Sequence, residues 1–369
     1  MKRGAESCVW GGRIRPWLVP ALAGLLVLWL GARCAEADLG APFELGPPGG
    51  DGPVKVKIGF FLKDINDIDE EKQTFEFEGI LTLKWYDDRQ AFDPAEVGVE
   101  EKVYQGPYEF NEVFTGWWVQ VVLANESGSY ERQGVMLRIR PDGLLTYVEE
   151  VDGTAKVPMR LRRFPFDHQE FEAIFQVLGF NKEEVVLETE PATTSVGRQE
   201  VSVAQWEMGD LRASTRDDDA VYADGRRDTI SAFVVSFDLA RQPGFMLRVV
   251  VIPLAMLIML SWSVFWMDRE SLGDRMDISF ISILTVVAFQ IMVSGHLPRI
   301  PYFTLISVFL YISYLVLFAS VVFNLVVGRM DRAGRFTQGD RVDRACRWIF
   351  PLAYFGLIGL AGLFFFTRY

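Results

Sequence analysis

Cysteine is nearly missing: the 369 residues hold three, at Cys8, Cys34 and Cys346. Two of these fall in the first 37 residues and the third lies by the last apolar segment. The long acidic middle of the chain is therefore without a disulfide or a cysteine-based metal site. Histidine is scarcer still, with only His168 and His296. No His-x-x-x-His pair, no Cys-x-x-Cys and no glycine-rich phosphate loop is present, which argues against an enzyme and against any cofactor. Basic residues are outnumbered 37 to 49, and the net charge of −12 speaks against a nucleic-acid partner.

What is abundant is unevenly placed. Half of the residues are hydrophobic, yet 23% are charged. Aspartate and glutamate crowd residues 51–240, whereas long uncharged runs dominate from Phe245 onward. This division excludes both a single soluble globule and a disordered chain. It points to an acidic domain joined to a membrane domain.

Residues 1–37 carry a basic start (Lys2, Arg3, Arg13, Arg15), an apolar run from Trp17 to Gly31, and Ala35-Glu36-Ala37. That is the pattern of a cleavable secretory signal. A Pro/Gly-rich leader follows over 38–53. From Val54 the pattern has period two, with Val54, Val56, Ile58 and Phe60 alternating with Lys55, Lys57 and Gly59. Further strand runs are expected from Phe75 to Trp85 and at Val119–Leu123, Val135–Ile139, Leu144–Val148, Phe171–Val177 and Ile230–Leu239. Pro141-Asp142-Gly143 reads as a hairpin turn. Short strands with turn signals predict an antiparallel β-sandwich over 54–244.

The rest, 245–369, predicts four spans near 245–267, 276–298, 302–327 and 348–366. Each is about long enough, at 1.5 Å per residue, to cross a hydrocarbon core of about 30 Å. Arg329, Arg332, Arg335, Arg341, Arg344 and Arg347 flank the third-to-fourth connection, which the positive-inside rule places in the cytoplasm. The sandwich and the C-terminus then lie on the outer side of the plasma membrane. In the second span Asp277, Ile281, Leu284, Ala288 and Ile291 share one face by the 100° step, with Asp274 one turn before. Ser279 and Ser282 point elsewhere, and periodicity alone leaves open which face meets water.

Several motifs in order resemble the pentameric ligand-gated ion channels, the Cys-loop receptor superfamily. They are Trp85-Tyr86-Asp87, Phe164-Pro165-Phe166-Asp167, Arg241-Gln242-Pro243, Leu284-Thr285-Val286-Val287-Ala288, Leu297-Pro298-Arg299-Ile300-Pro301-Tyr302 and Arg347 to Pro351. Val157 and Phe171 stand where the eukaryotic members have the loop cysteines, so the likeness is to the prokaryotic branch. The resemblance implies a homopentamer of identical subunits in a lipid bilayer, with the second spans lining a pore for monovalent cations. Asp274 and Asp277 become selectivity rings, and Ile281, Leu284, Ala288 and Ile291 become an apolar gate. Arg241 is expected to pair with Asp167 and with Asp64 or Asp67 of the first hairpin loop. That coupling site also takes in Phe164, Pro165, Phe166, Leu297, Pro298 and Arg299. A small-molecule agonist would meet Phe75, Trp118, Gln176, Leu178, Tyr222 and Ile230. Protons are the alternative stimulus, through the acidic loops Asp64–Glu71 and Asp217–Asp219.

Overall fold

A computed structural model of the chain describes residues 46–50, 52–189, 196–198, 203–221, 225, 227–267, 272–295 and 300–368. The expected signal, most of the leader, Tyr222, His296, Leu297, Pro298 and Arg299 lie outside the described residues. Two compact units are distinguished. Of the smaller, Gly46 and Thr115–Trp117 are described; the larger, Pro47–Phe114 and Trp118–Tyr369, holds the elements below.

Eleven strands come first: β1 (Val54–Asp69), β2 (Thr74–Tyr86), β3 (Lys102–Gln105), β4 (Val121–Leu123), β5 (Glu126–Ile139), β6 (Leu144–Lys156), β7 (His168–Val177), β8 (Val185–Thr189), β9 (Val196–Arg198), β10 (Trp206–Val221) and β11 (Arg227–Arg241). They form a seven-stranded sheet in the order β3-β5-β6-β2-β1-β8, with β9 also on β1, and a four-stranded sheet β10-β11-β7-β4. The sandwich expected from the alternation is therefore present. Two pairings depart from the antiparallel rule, since β8 and β9 both run parallel to β1.

Alternation fills the space between the sheets with rings. Phe60, Phe75, Phe77, Phe171, Phe175, Phe233 and Phe237 are all buried. Phe75 lies stacked on Phe171 at 5.1 Å between centroids and edge-on to Phe237 at 5.6 Å. Phe171, one of the two positions at which the resemblance would place a loop cysteine, is thus held by core packing. Two glycines are demanded by this geometry. A Cβ at Gly79 would stand 2.2 Å from Cζ of Phe60, and Gly143, at φ +80°, closes the Pro141–Gly143 turn against the Asp87 carbonyl. Asp87 of the Trp-Tyr-Asp motif is buried, caps a short turn through Arg89 N–H, and receives Arg89 Nε at 2.8 Å.

Four long apolar helices follow, here numbered α1 (Gly244–Trp266), α2 (Leu272–Ser294), α3 (Leu305–Arg332) and α4 (Phe336–Arg368). All four are long and apolar enough to cross a membrane. The third-to-fourth connection is shorter than the gap between the expected spans 302–327 and 348–366. α3 continues to Arg332 and α4 starts at Phe336, so most of the six arginines sit on helical ends. α3 begins with a capping box in which Thr304 and Ser307 satisfy one another's amides.

Candidate functional site: a pore helix, an ion-paired junction and an aromatic carboxylate cage

α2 has two faces. Ser279 and Ser282 are buried with Val286 and Val293. Ser279 Oγ donates to the Arg275 carbonyl at 2.9 Å and receives Asn324 Nδ2 of α3 at 3.1 Å. The second of these bonds turns the Ser279 face of α2 toward α3 within the chain. The opposite face is bare: Ile281 is 62% exposed, Leu284 70% and Ile291 72%, with Ala288 also exposed. Asp277 continues this stripe and Asp274 lies one turn before it, both exposed. A helix that leaves its largest aliphatic residues uncovered on one face and ends that face in acids needs a further surface, or a water path, there.

Arg275 was not foreseen in the sequence. It stands between the two acids and is fully buried. Its guanidinium makes a two-pronged bond to Asp343 of α4, Nη1 to Oδ2 at 3.2 Å and Nη2 to Oδ1 at 3.0 Å, while Nε donates to the Val264 carbonyl at 3.0 Å. Arg347 of α4 donates in the same way to the Phe265 carbonyl at 2.8 Å. Two arginines thus tie the end of α1 to α2 and α4, satisfying carbonyls that a helix end leaves over.

At the junction between sandwich and helices, Arg241 at the end of β11 is buried against the rings of Trp206 (4.0 Å) and Phe164 (4.7 Å). Its Nε donates to Asp167 Oδ1 at 2.9 Å, as the resemblance implied. The second partner differs from expectation. It is Glu70, whose Oε1 receives Nη1 at 2.7 Å, and neither Asp64 nor Asp67 takes part. The reason is that β1 runs through to Asp69, so those two aspartates are strand residues paired across to Glu78 and Glu76. The turn that reaches Arg241 starts only after them. Phe164 is buried, and its carbonyl accepts the amide of Ile306 at the start of α3. Pro165 is buried and Phe166 exposed. Tyr302 Oη accepts the Leu161 amide at 3.2 Å, a second tie between the signature loop and the approach to α3.

The expected agonist residues are not brought into one place. Phe75 has no exposed surface and belongs to the core stack, so it cannot be a ligand contact. Trp118 packs on Phe110 and Tyr147. Gln176, by contrast, donates to Asp218 at 2.8 Å, and Asp218 is opposite the buried Ile230 in the β10–β11 register. Leu178 stands exposed just beyond. Asp217–Asp219, expected as a loop, are residues of β10, with Asp217 paired to Lys182 and Asp218 to Arg216.

Trp118 belongs to a different cluster, which sequence reasoning missed. Glu149 of β6 is buried, accepts from Tyr147 Oη at 2.8 Å and Tyr130 Oη at 3.4 Å, and pairs with Arg132 Nε at 2.8 Å. Burial pushes its carboxyl above the usual glutamate range, against the opposing pull of Arg132 and the two hydroxyls. Burial and the adjacent carboxylate raise both tyrosines well above the ordinary phenol value.

Comparison with known proteins agrees with this architecture. The model of the neurotransmitter-gated ion-channel ligand binding domain matches residues 44–243, and that of the neurotransmitter-gated ion-channel transmembrane region matches 250–335. The proton-gated ion channel of Gloeobacter violaceus is 25% identical over 353 residues, covering 95% of this chain and 94% of that protein. The beta subunit of the gamma-aminobutyric acid receptor of Caenorhabditis elegans is 25% identical over 282 residues, 75% of this chain and 50% of its own. The human gamma-aminobutyric acid receptor subunit rho-3 is 25% identical over 310 residues, 83% of this chain and 64% of its own. With its two-sheet domain, its four apolar helices and both family models matched in order, the chain belongs to the neurotransmitter-gated, or pentameric ligand-gated, ion-channel family, and it is not an enzyme.

Proposed function

We propose that five identical copies assemble with their α2 helices around a common axis and conduct monovalent cations. The observation that carries this reading is the bare stripe of α2, from Asp277 through Ile281, Leu284 and Ala288 to Ile291. Five such stripes enclose a dry constriction from Ile281 to Ile291 about 15 Å long, at 1.5 Å per residue, closed at one end by rings of Asp277 and Asp274. Apolar constrictions stop ions by expelling water, and acidic rings concentrate cations and repel anions. The arginine-rich ends of α3 and α4 support, by the positive-inside rule, a reading with those rings on the cytoplasmic side of the plasma membrane and the sandwich outside.

Gating in this reading runs through the junction. Movement of the sandwich loops is transmitted by Asp167, Glu70 and Arg241, and by Phe164 and Tyr302, to the start of α3 and so to α2. Leu297, Pro298 and Arg299 are proposed to complete that contact. Gln176, Leu178 and Tyr222 are proposed to face a small-molecule agonist, whereas Ile230, buried in the sandwich, is set aside with Phe75.

A second stimulus, protons, is favoured by one observation: a buried Glu149 whose pKa is raised, held in a cage of two tyrosines and an arginine. Purified protein in planar bilayers tests both readings. Under a sodium chloride gradient the reversal potential should follow sodium, and one that follows chloride overturns the cation assignment. A pH series alongside a panel of amines and carboxylates then separates proton from ligand activation.

A further inference from the structure

Polar ties reach α2 at successive levels. Near its start Arg275 is clamped to Asp343 of α4 and to the Val264 carbonyl. One turn on, Ser279 Oγ receives Nδ2 of Asn324 from α3 at 3.1 Å. Two turns further, Tyr314 of α3 reaches the Val286 carbonyl at 3.4 Å, a long and weak bond. Asn324 is fully buried, yet only half of its amide is used. Its Oδ1 has no partner among the described residues.

A carbonyl oxygen shut away without a donor is costly, and native folds seldom carry one without a reason. In a helix that crosses a membrane, no bulk water is at hand to relieve it. The next turn of α2 offers a donor. Ser282 is also buried, and among the described residues no hydrogen bond engages its hydroxyl. It follows Ser279 by three residues, which on an α-helix is about 60° in direction and about 4.5 Å along the axis. Val286 lies between the two serines in direction, is buried, and is the residue that Tyr314 touches. The side of α2 that holds both serines is therefore the side packed on α3.

We propose that Asn324 is a positioning residue for the pore, an amide with two seats on α2. In the arrangement seen here it donates to Ser279. In the second, α2 leans or turns about its Arg275 end, Asn324 leaves Ser279, and its Oδ1 accepts from the Ser282 hydroxyl. Each arrangement has one end of the amide bonded and one idle, so the two lie close in free energy and a small bias decides between them. The same movement re-aims the stripe on the opposite face. This rests on the reading of that stripe as the pore lining.

The test uses the full chain in planar bilayers, in a Leu284→Ser background so that openings occur without a stimulus, with the ratio of open to closed time read from single-channel sodium currents. Ser279→Ala removes the first seat and Ser282→Ala the second. The two should move the ratio in opposite directions, each by at least about fivefold, the weight of one ordinary hydrogen bond in one subunit. Asn324→Leu removes both ends of the amide at similar volume, and on top of it neither serine substitution should move the ratio by more than about twofold. A contact that only holds the helices together would weaken both serine variants alike, without a reversal of sign. Shifts of the same sign, shifts below about twofold, or shifts that persist beside Asn324→Leu overturn the proposal. If Asn324→Leu does not assemble, the signs of the two serine variants decide alone. Absence of sodium current from the Leu284→Ser background itself overturns the pore reading and this proposal with it, a result distinct from current with the wrong signs.

Discussion

Replacing Asp343 by asparagine would leave Arg275 charged and fully buried without its counter-charge, with an amide oxygen able to accept only one of the two guanidinium bonds to α4. The Val264 carbonyl, at 3.0 Å from Nε, stays as an uncharged partner. Removing one member of a buried ion pair costs about 3–5 kcal/mol, because the charge that remains has lost its water and its counter-ion. At roughly 3 °C per kcal/mol for a body of this size, Asp343→Asn should lower the midpoint of thermal unfolding by about 10 °C. Arg275→Met should cost a similar amount, since it strands the carboxylate. The double variant Arg275→Met with Asp343→Leu removes both charges together and should recover most of the loss, ending within about 2 kcal/mol of the parent. The assay is a heating series on the detergent-solubilised oligomer, followed by the size-exclusion peak that survives. If the double variant loses the sum of the two single losses, the buried pair is not the source of the effect. A single-variant loss below about 1 kcal/mol would refute the reasoning as well.

The same stranded charge has an electrical consequence: in Asp343→Asn, Arg275, two residues before Asp277, has lost its counter-charge, so the sodium preference read from the reversal potential should fall. At the junction, Asp167→Asn should cost about 3–5 kcal/mol while Glu70→Gln costs no more than about 1, because the Asp167 side chain is 1% exposed and that of Glu70 29%; urea denaturation of the two variants compares them. Gly79→Ala drives a methyl into the Phe60 ring and should destabilise the sandwich by about 1–3 kcal/mol, with partial rescue by Phe60→Leu. Glu149 has a folded pKa above its unfolded value, so its contribution is fully present below the unfolded pKa and is lost as pH rises through the raised one. Glu149→Gln should therefore flatten the stability profile over that window and raise stability at neutral pH, measured by denaturation at a series of pH values. Leu284→Ser should wet the constriction and raise basal open probability in single-channel records.

Much of this architecture was legible because burial writes itself into period. β2, β6 and β7 alternate cleanly since one face of each meets the phenylalanine core, and the four spans are long because a bilayer is thick. β10 was illegible for the opposite reason. Only Trp206 of its residues is buried, they include Asp217, Asp218 and Asp219, and β11 alone pairs with it in the sheet. Asp64 and Asp67 misled in the same way, since acids on a strand edge look like a loop. The stripe from Asp277 to Ile291 could be found from spacing, but which face of α2 packs on α3 needed Ser279 and Asn324, 45 residues apart. Arg275 was overlooked because the span seemed to begin at Met276, and its partner is 68 residues away on another helix. The Glu149 cage draws on β5 and β6, and no local pattern announces it.

The scarcity of sulfur has a practical side. Among the described residues Cys346 is the one cysteine, and its side chain is buried between helices. The signature loop keeps its place by the stacking of Phe171 on Phe75, so nothing in it responds to a reductant. The folded body is consequently a chemical blank toward thiol reagents. A cysteine written in at Ile281, Leu284 or Ile291 would report, by its rate of maleimide labelling, which ring of the stripe becomes wet when the stimulus arrives.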